Sequence, residues 1–333
     1  MNKFFSIVIT TFNRKELLLK CLESVSAQDF PKDNYDVCIV NDGSTDGTEK
    51  ILEKKSFPFS VLMITVPNGG PSTARNIGAS NAEGKFIVFL EDDVIAHSDW
   101  LKNAYRYLKN DDIDILDGRT IYQTTKKDVQ LFDEEGYISF IPCNLFIGQT
   151  LFKENGGYDT EFNIPEENLY FREDTELSFR IMNSSIRIRK AKDVVVEHPE
   201  QFLTIKDSFR HALRYQFDPL LYKKHPEKFR KFVDVKKIFG IKLHRPHHYL
   251  YLVYVVSCLI FLVTILSGFT LMTKILLMLI IAIAFITRFK YQRFRAFRMY
   301  VLSETLGFFL LPFVYFYALI KGSIRYRSYG ALL

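Results

Sequence analysis

The chain has 333 residues, 44 Lys and Arg against 38 Asp and Glu, 48% hydrophobic and 15% aromatic side chains, with only 16 Gly and 11 Pro. This excludes a disordered, collagen-like or purely coiled-coil chain and leaves room for one large or two ordinary domains. The charge is unevenly placed: residues 1–199 carry 23 basic and 32 acidic side chains, whereas residues 200–333 carry 21 and 6. In the second part the basic residues bracket long apolar runs, the pattern of loops at an anionic membrane, so the expected partner is membrane lipid and not nucleic acid.

In chain order, Phe5–Thr10, Tyr35–Val40, Val61–Val66 and Phe86–Leu90 are β-branched apolar runs that predict strands. Between them, Leu17, Leu18, Cys21, Leu22 and Val25 recur at helical spacing, and residues 46–54 and 71–82 predict two further helices. Strand and helix alternation with near-continuous apolar strands predicts an α/β fold, a mostly parallel Rossmann-like sheet with helices on both faces. From 111 to 199 the pattern is mixed, with strands near 113–121, 142–148 and 193–197 and a helix from about 174, an elaboration of one domain spanning residues 1–200.

Residues 201–248 read as a basic, amphipathic, membrane-apposed connector, with Phe209, Leu213, Phe217 and Leu220 at helical spacing. Tyr249–Thr273 then runs 25 residues without a charge, and after Lys274 a second charge-free run reaches Thr287. Two spans, about 249–267 and 270–287, fit a hairpin through ~30 Å of hydrocarbon. Its basic flanks put both ends in the cytoplasm. A third apolar segment, 300–320, contains Glu304 and Pro312 and is followed by Lys321, Arg325 and Arg327. The expectation is a third span, against an interfacial or re-entrant segment that would keep those three charges inside. The membrane region, 249–333, could also pair two copies of the chain into a homodimer.

Four dispersed cysteines with no CxxC pair point to a reducing cytoplasm. The apolar patch Phe4–Ile9, broken at Ser6, is too short for a signal-peptide core. The expectation is a multi-pass protein of the cell membrane with its catalytic domain in the cytoplasm.

In a sheet of this kind ligands bind beyond the carboxyl ends of the strands, so chemistry is sought there. Glu91-Asp92-Asp93 directly follows the fourth strand. Three adjacent carboxylates repel, and a divalent cation such as Mn²⁺ or Mg²⁺, held jointly with substrate phosphates, relieves the repulsion; the plain alternative is a solvated turn. Asp42, in Asn41-Asp42-Gly43-Ser44-Thr45-Asp46-Gly47, is either part of a tight turn or an acceptor for a nucleobase. Asn68-Gly69-Gly70 opens a helix carrying Arg75 one turn inside, a geometry suited to phosphate. Neither GxGxxG nor GxxxxGK[ST] occurs, which leaves dehydrogenase and P-loop readings without their fingerprints. Asp174, after Glu173, is either a helix cap or a positioned general base. His198, ending a strand, is a metal or phosphate contact or an ordinary surface histidine.

Taken together and in order, Ser6–Arg14, Val40–Gly47, Asn68–Asn76, Phe89–Asp93, Gly156–Asp159 and Glu173–Arg180 resemble family 2 glycosyltransferases with the GT-A fold, over about residues 4–200. The resemblance implies a nucleotide-sugar donor contacted by Thr11, Asn13, Asp42, Arg75 and Asp92. It also implies a metal near Asp93, Glu91 and His198, and catalysis by Asp174 with Glu173 beside it. The family's Asp-x-Asp stands here as Glu91-Asp92-Asp93, and Gln-x-x-Arg-Trp, expected of a processive synthase, is absent. The expected activity is inverting transfer to a hydroxyl of a lipid-linked glycan in cell-surface polysaccharide or glycoconjugate synthesis. The alternative is a polyprenyl-phosphate sugar synthase of the dolichyl-phosphate mannose synthase type, whose ionised acceptor needs no base. A catalytically inactive sugar-nucleotide sensor and a sugar nucleotidyltransferase are weaker rivals. The first has no support from the intact base position, and the second lacks a Gly-rich basic loop after strand one.

Overall fold

The computed structural model describes residues 3–110, 113–122, 140–182, 185–199, 204–238, 241–268, 270–292 and 302–332. Contacts divide the chain into two units, Met1–Gln201 and Phe202–Leu333.

The first unit runs β1 (Phe5–Thr11), α1 (Lys15–Ser26), β2 (Tyr35–Asn41), α2 (Thr48–Leu52), β3 (Ser60–Thr65), α3 (Pro71–Ser80), β4 (Phe86–Glu91), β5 (Ile95–Ala96), α4 (Trp100–Leu108), β6 (Ile115–Tyr122), β7 (Asn144–Gly148), α5 (Gln149–Glu154), β8 (Asn163–Ile164), β9 (Leu169–Tyr170), α6 (Glu173–Ile181) and β10 (Ile188–His198). Eight strands form one sheet in the order β3-β2-β1-β4-β7-β6-β10-β5. Strands β3, β2, β1 and β4 are parallel, whereas β7 runs antiparallel to both of its neighbours, β4 and β6. The second reversal restores the original direction, so β6 and its parallel partner β10 point the same way as β1 and β4.

Successive strand residues face opposite sides of the sheet. On one side Ile7, Ile9, Val37, Ile39, Val88 and Leu90 pack with Leu18, Leu22 and Trp100 of α1 and α4. On the other, Val8, Cys38, Val40, Ile87 and Phe89 pack with Ala74, Phe152 and Leu177 of α3, α5 and α6. Helices therefore cover both faces, and α3 lies so close that a Cβ on Gly78 would come within 2.4 Å of Val8.

Asp117 of β6 sits opposite Lys190 of β10. Burial pushes its carboxyl up from 3.8 to about 7, against the pull of Lys190. The folded chain thus holds a proton that the unfolded chain has released, and stability falls as pH rises through that window, on the order of 2–3 kcal/mol once partial exposure is allowed for. Melting temperatures followed from pH 4 to pH 8 should show this loss, and Asp117→Asn should remove it and be the more stable form at pH 8.

The second unit comprises α7 (Ile205–Leu213), a 3₁₀ turn (Arg214–Phe217), α8 (Asp218–Lys224), α9 (Pro226–Phe232), a hairpin of β11 (Val235–Ile238) and β12 (Ile241–His244), then α10 (Pro246–Leu266), α11 (Thr270–Gln292) and α12 (Leu302–Tyr326). The stretch read from sequence as one connector is thus several short helices and a hairpin. α7 begins with a capping box in which Thr204 and Asp207 exchange hydrogen bonds. Among the described residues, one helix, Pro246–Leu266, is long and apolar enough to cross a membrane, and Thr270–Ile283 is a shorter apolar stretch. Gly268, at φ +74°, makes the turn between them.

Candidate active site

The carboxyl ends of β1, β2, β4 and β10 share one edge of the sheet. After β4 the chain crosses this edge, and β5 pairs antiparallel with the end of β10, Ile95 opposite Glu197. That crossing carries Asp93, two residues before Ile95, to His198, a residue about a hundred positions away in sequence.

The result is a continuous chain of charge. Thr11 Oγ1 donates to Asp92 Oδ2 at 2.7 Å, and Arg14 Nη1 donates to Asp92 Oδ1 at 3.1 Å and to Asp93 Oδ2 at 2.9 Å. His198 Nε2 lies 3.5 Å from Asp93 Oδ1 and 4.0 Å from Glu91 Oε2. Arg75 Nη2 lies 3.9 Å from Glu91 Oε1, and its Nη1 donates to Glu173 Oε1 at 3.1 Å. Asp92 and Asp93 are each 4% exposed. Burial holds the Asp92 carboxyl up at about 6 even with Arg14 and Thr11 against it, and raises Glu91 and Glu173 as well. Here four carboxylates, Glu91, Asp92, Asp93 and Glu173, face two arginines, Arg14 and Arg75, an excess of acidic groups that favours an added cation.

The donor set agrees with that excess. One ligand atom each from Glu91, Asp93 and His198 lie within 4.8 Å of one another. Two carboxylate oxygens and an imidazole nitrogen suit a divalent metal, and the Glu at position 91 belongs to the cluster although the family's pattern has Asp first. The other ring nitrogen of His198 is 3.0 Å from the Pro199 carbonyl, the kind of contact that orients a ligating histidine.

Asp42 is buried, and its two oxygens accept from the Gly69 and Gly70 amides at 2.8 and 3.0 Å. In the structure it orders the glycine turn that opens α3. Asn13, at φ +54°, spans the first two loops: its amide donates to Ser44 Oγ and its side-chain oxygen accepts from the Thr45 amide. Thr11 acts on Asp92. These three, grouped in the sequence reading as donor contacts, thus have structural tasks at the same sheet edge.

Glu173 and Asp174 open α6. Glu173 is buried against Arg75, whereas Asp174 is half-buried, with Oδ1 accepting from the Thr175 amide at 2.6 Å. Arg180, two turns on, donates to the Gly157 carbonyl at 2.6 Å and so ties α6 to the preceding Gly156-Gly157 turn. There Asn76 clamps Tyr158, accepting from its amide at 2.8 Å and donating to its carbonyl at 2.7 Å. A Cβ on Gly157 would fall 2.6 Å from the Asn76 oxygen. The clamp sets the Tyr158 ring 5.5 Å from the Arg75 guanidinium.

Arg14 and Tyr158 were not singled out by sequence reasoning as site residues. Arg14 was within reach of the strand-end rule, since it follows β1 in Thr11-Phe12-Asn13-Arg14. Tyr158 carries no local signal beyond its place in Gly156-Gly157-Tyr158-Asp159.

A doubly covered, mostly parallel sheet thus gathers carboxylates, arginines and a metal-type cluster at its ligand edge. The family model for glycosyl transferase family 2 matches residues 6–193, and the chain belongs to that family. It is similar to the poly(ribitol-phosphate) beta-N-acetylglucosaminyltransferase TarS of Staphylococcus aureus, 29% identical over 50% of this chain and 31% of that one. It also matches the poly(ribitol-phosphate) beta-glucosyltransferase of Bacillus spizizenii, 27% identical over 63% of this chain and 34% of that one. The chain therefore spans about a third of the length of these curated relatives. Among solved structures, the mannosyltransferase PcManGT from Pyrobaculum calidifontis in complex with GDP-Man and Mn²⁺ aligns with a TM-score of 0.55, 14% identity and coverage of 98% of this chain and 88% of that one. S. aureus TarS 1-349 in complex with UDP-GlcNAc aligns with a TM-score of 0.50, 18% identity and coverage of 98% and 92%. These likenesses identify the fold as GT-A.

Proposed function

We propose that this chain is a membrane-anchored, inverting glycosyltransferase that moves a sugar from a nucleotide-sugar donor to a hydroxyl of a lipid-linked glycan in cell-surface polysaccharide or glycoconjugate synthesis. The observation that carries the reading is the unbroken line Arg14, Asp92, Asp93, His198, Glu91, Arg75 and Glu173, which ends one residue from Asp174. It unites, on one edge, cations for a diphosphate, ligands for a metal and a carboxylate for the acceptor.

In this mechanism Asp174 removes the proton from the acceptor hydroxyl, whose oxygen attacks the anomeric carbon from the face opposite the leaving diphosphate and inverts it. Arg75 stands beside the departing phosphate charge. Glu91, Asp93 and His198 would hold a Mn²⁺ or Mg²⁺ ion, which when bound neutralises charge on the diphosphate. Asp42 and Asn13 fix the loops against which the nucleoside is held, and Thr11 and Arg14 orient Asp92. One relative supports a lipid-linked acceptor: a Methanococcus voltae glucuronosyltransferase named for dolichyl N-acetyl-glucosaminyl phosphate is 34% identical over 33% of this chain.

Membrane anchoring rests on α10, whose Leu259, Leu262, Val263, Ile265 and Leu266 are each more than half exposed. So large an apolar surface does not persist in water. In this reading α10 and α11 cross the cell membrane as a hairpin, the catalytic unit stays in the cytoplasm, and a second copy pairs through the same apolar surface.

The test is transfer from UDP-, GDP- and dTDP-sugars in detergent with Mn²⁺ or Mg²⁺, with lipid-linked saccharides and bare polyprenyl phosphate offered separately. Transfer to a saccharide hydroxyl is expected, and transfer to polyprenyl phosphate alone would replace the proposal with the lipid-carrier synthase. In the same assay Asp93→Ala should weaken the metal's apparent affinity by roughly 10–100-fold or more. An unchanged metal titration would remove Asp93 from the ligand set.

A further inference from the structure

The second unit carries a feature that membrane anchoring by α10 and α11 leaves unexplained. One face of α12 is covered: Leu311, Tyr315, Ala318, Leu319 and Ser323 are buried, packed by α7, α8, the turn between them and, toward the start of α12, Tyr251 of α10. The fit is close, since a Cβ on Gly322 would come within 2.0 Å of the Gln216 carbonyl. The opposite face is mostly exposed, with Phe313 set edge-on to a ring of α10, Tyr254. Leu310, Phe313, Tyr317, Ile320 and Ile324, spaced 3, 4, 3 and 4 residues apart, form an exposed apolar stripe, from 39% exposure at Phe313 to 64% at Ile324.

The covering helices decide where this stripe can lie. Lys206, Lys223, Lys224, Glu227, Arg230 and Lys231 of α7, α8 and α9 are all exposed. Each such charge costs roughly 2.5–3.5 kcal/mol at the centre of a bilayer, so these helices stay out of the hydrocarbon. Residues 311–323 are locked to α7 and α8 and stay out with them. A span through 300–320 would in addition carry Lys321, Arg325 and Arg327 across. The exposed stripe, bordered by Lys321 and the exposed Arg325 and Arg327, instead has the make-up of a helix seated at an anionic lipid surface, apolar side chains among the headgroups and cations beside the phosphates.

We infer that α12 is not a third span but lies in the plane of the membrane interface, its Leu310–Ile324 stripe bound to anionic phospholipid. This rests on the membrane-anchored reading given above. It makes α12 the element that holds α7 to α9 against the bilayer.

Full-length protein with Cys258 changed to Ser, carrying an environment-sensitive fluorophore at Leu310→Cys, the middle of the rival span, or, separately, at Leu262→Cys, would be reconstituted into phosphatidylcholine vesicles with or without phosphatidylglycerol. Lipids bearing quenchers at known depths report where each label sits. The label at 262 is expected in the hydrocarbon in both lipids. The label at 310 is expected at headgroup depth, with a blue shift on adding phosphatidylglycerol that is lost in Tyr317→Asp/Ile320→Asp while donor hydrolysis is unchanged. A label at 310 as deep as that at 262 would establish a third span and overturn the inference, as would a label at 310 that stays in water in both lipids. A label at 262 that stays in water would overturn the membrane-anchored reading itself, and this inference with it.

Discussion

Asp174→Asn is expected to lower transfer to a saccharide hydroxyl by roughly 10²–10⁴-fold while leaving nucleotide-sugar affinity unchanged. The substitution is nearly isosteric, and the Asn oxygen can still accept from the Thr175 amide that orients the native carboxylate. What it loses is basicity, which matters only when a proton must leave an acceptor. Donor affinity by calorimetry and turnover with a lipid-linked saccharide separate the two. Near-normal turnover would return Asp174 to the role of a residue that orders the start of α6. Glu173 is the poorer base because its carboxylate is already engaged by Arg75 in a buried pair.

Arg75→Ala is expected to be the most damaging single change to the fold of the first unit. Arg75 is 7% exposed and is held between Glu173 and Glu91 over the Tyr158 ring. Removing it strands the buried Glu173 carboxylate, and the half-buried Glu91, without their counter-charge, an effect of about 3–5 kcal/mol. At this size each kcal/mol moves the melting temperature by about 2–4 °C, so the midpoint should drop by roughly 6–20 °C. Arg75→Ala/Glu173→Gln tests the cause, because neutralising Glu173 should recover part of the stability and none of the transfer activity. If the double variant melts no higher than Arg75→Ala, the charge of Glu173 is not what Arg75 balances.

How much of this was legible beforehand follows from what the local chain can encode. Strands β1, β2 and β4, covered on both faces, read as apolar runs, and their bounds in the structure differ from the sequence reading by a residue or so. The polar residues at their ends were found by the same rule, and Glu91, Asp93 and His198 do come together. The antiparallel β7 between β4 and β6 was not legible, since its direction depends on a partner and not on its own pattern. β5 has two residues, too few for any periodicity, yet its pairing joins Asp93 to His198. Nor could spacing reveal that Arg75 meets Glu173, 98 positions on. Loops 122–140 and 157–170 read from the sequence as the segments that hold acceptor specificity, and residues 123–139 of the first lie outside the described residues.

The crossing that brings Asp93 to His198 also sets a timetable for the nascent chain. Three carboxylates leave the ribosome about a hundred residues before the imidazole that faces them, an interval of roughly 5–20 s at ordinary rates of synthesis. During that interval β1 to β4 can pair, with Arg14 and Arg75 as the cations that offset the repulsion among residues 91–93. Only when β10 has been made and docks beside β6 does the cluster acquire its third ligand. A divalent cation bound there would then act as a latch, engaging late and holding most strongly the last strand to join the sheet.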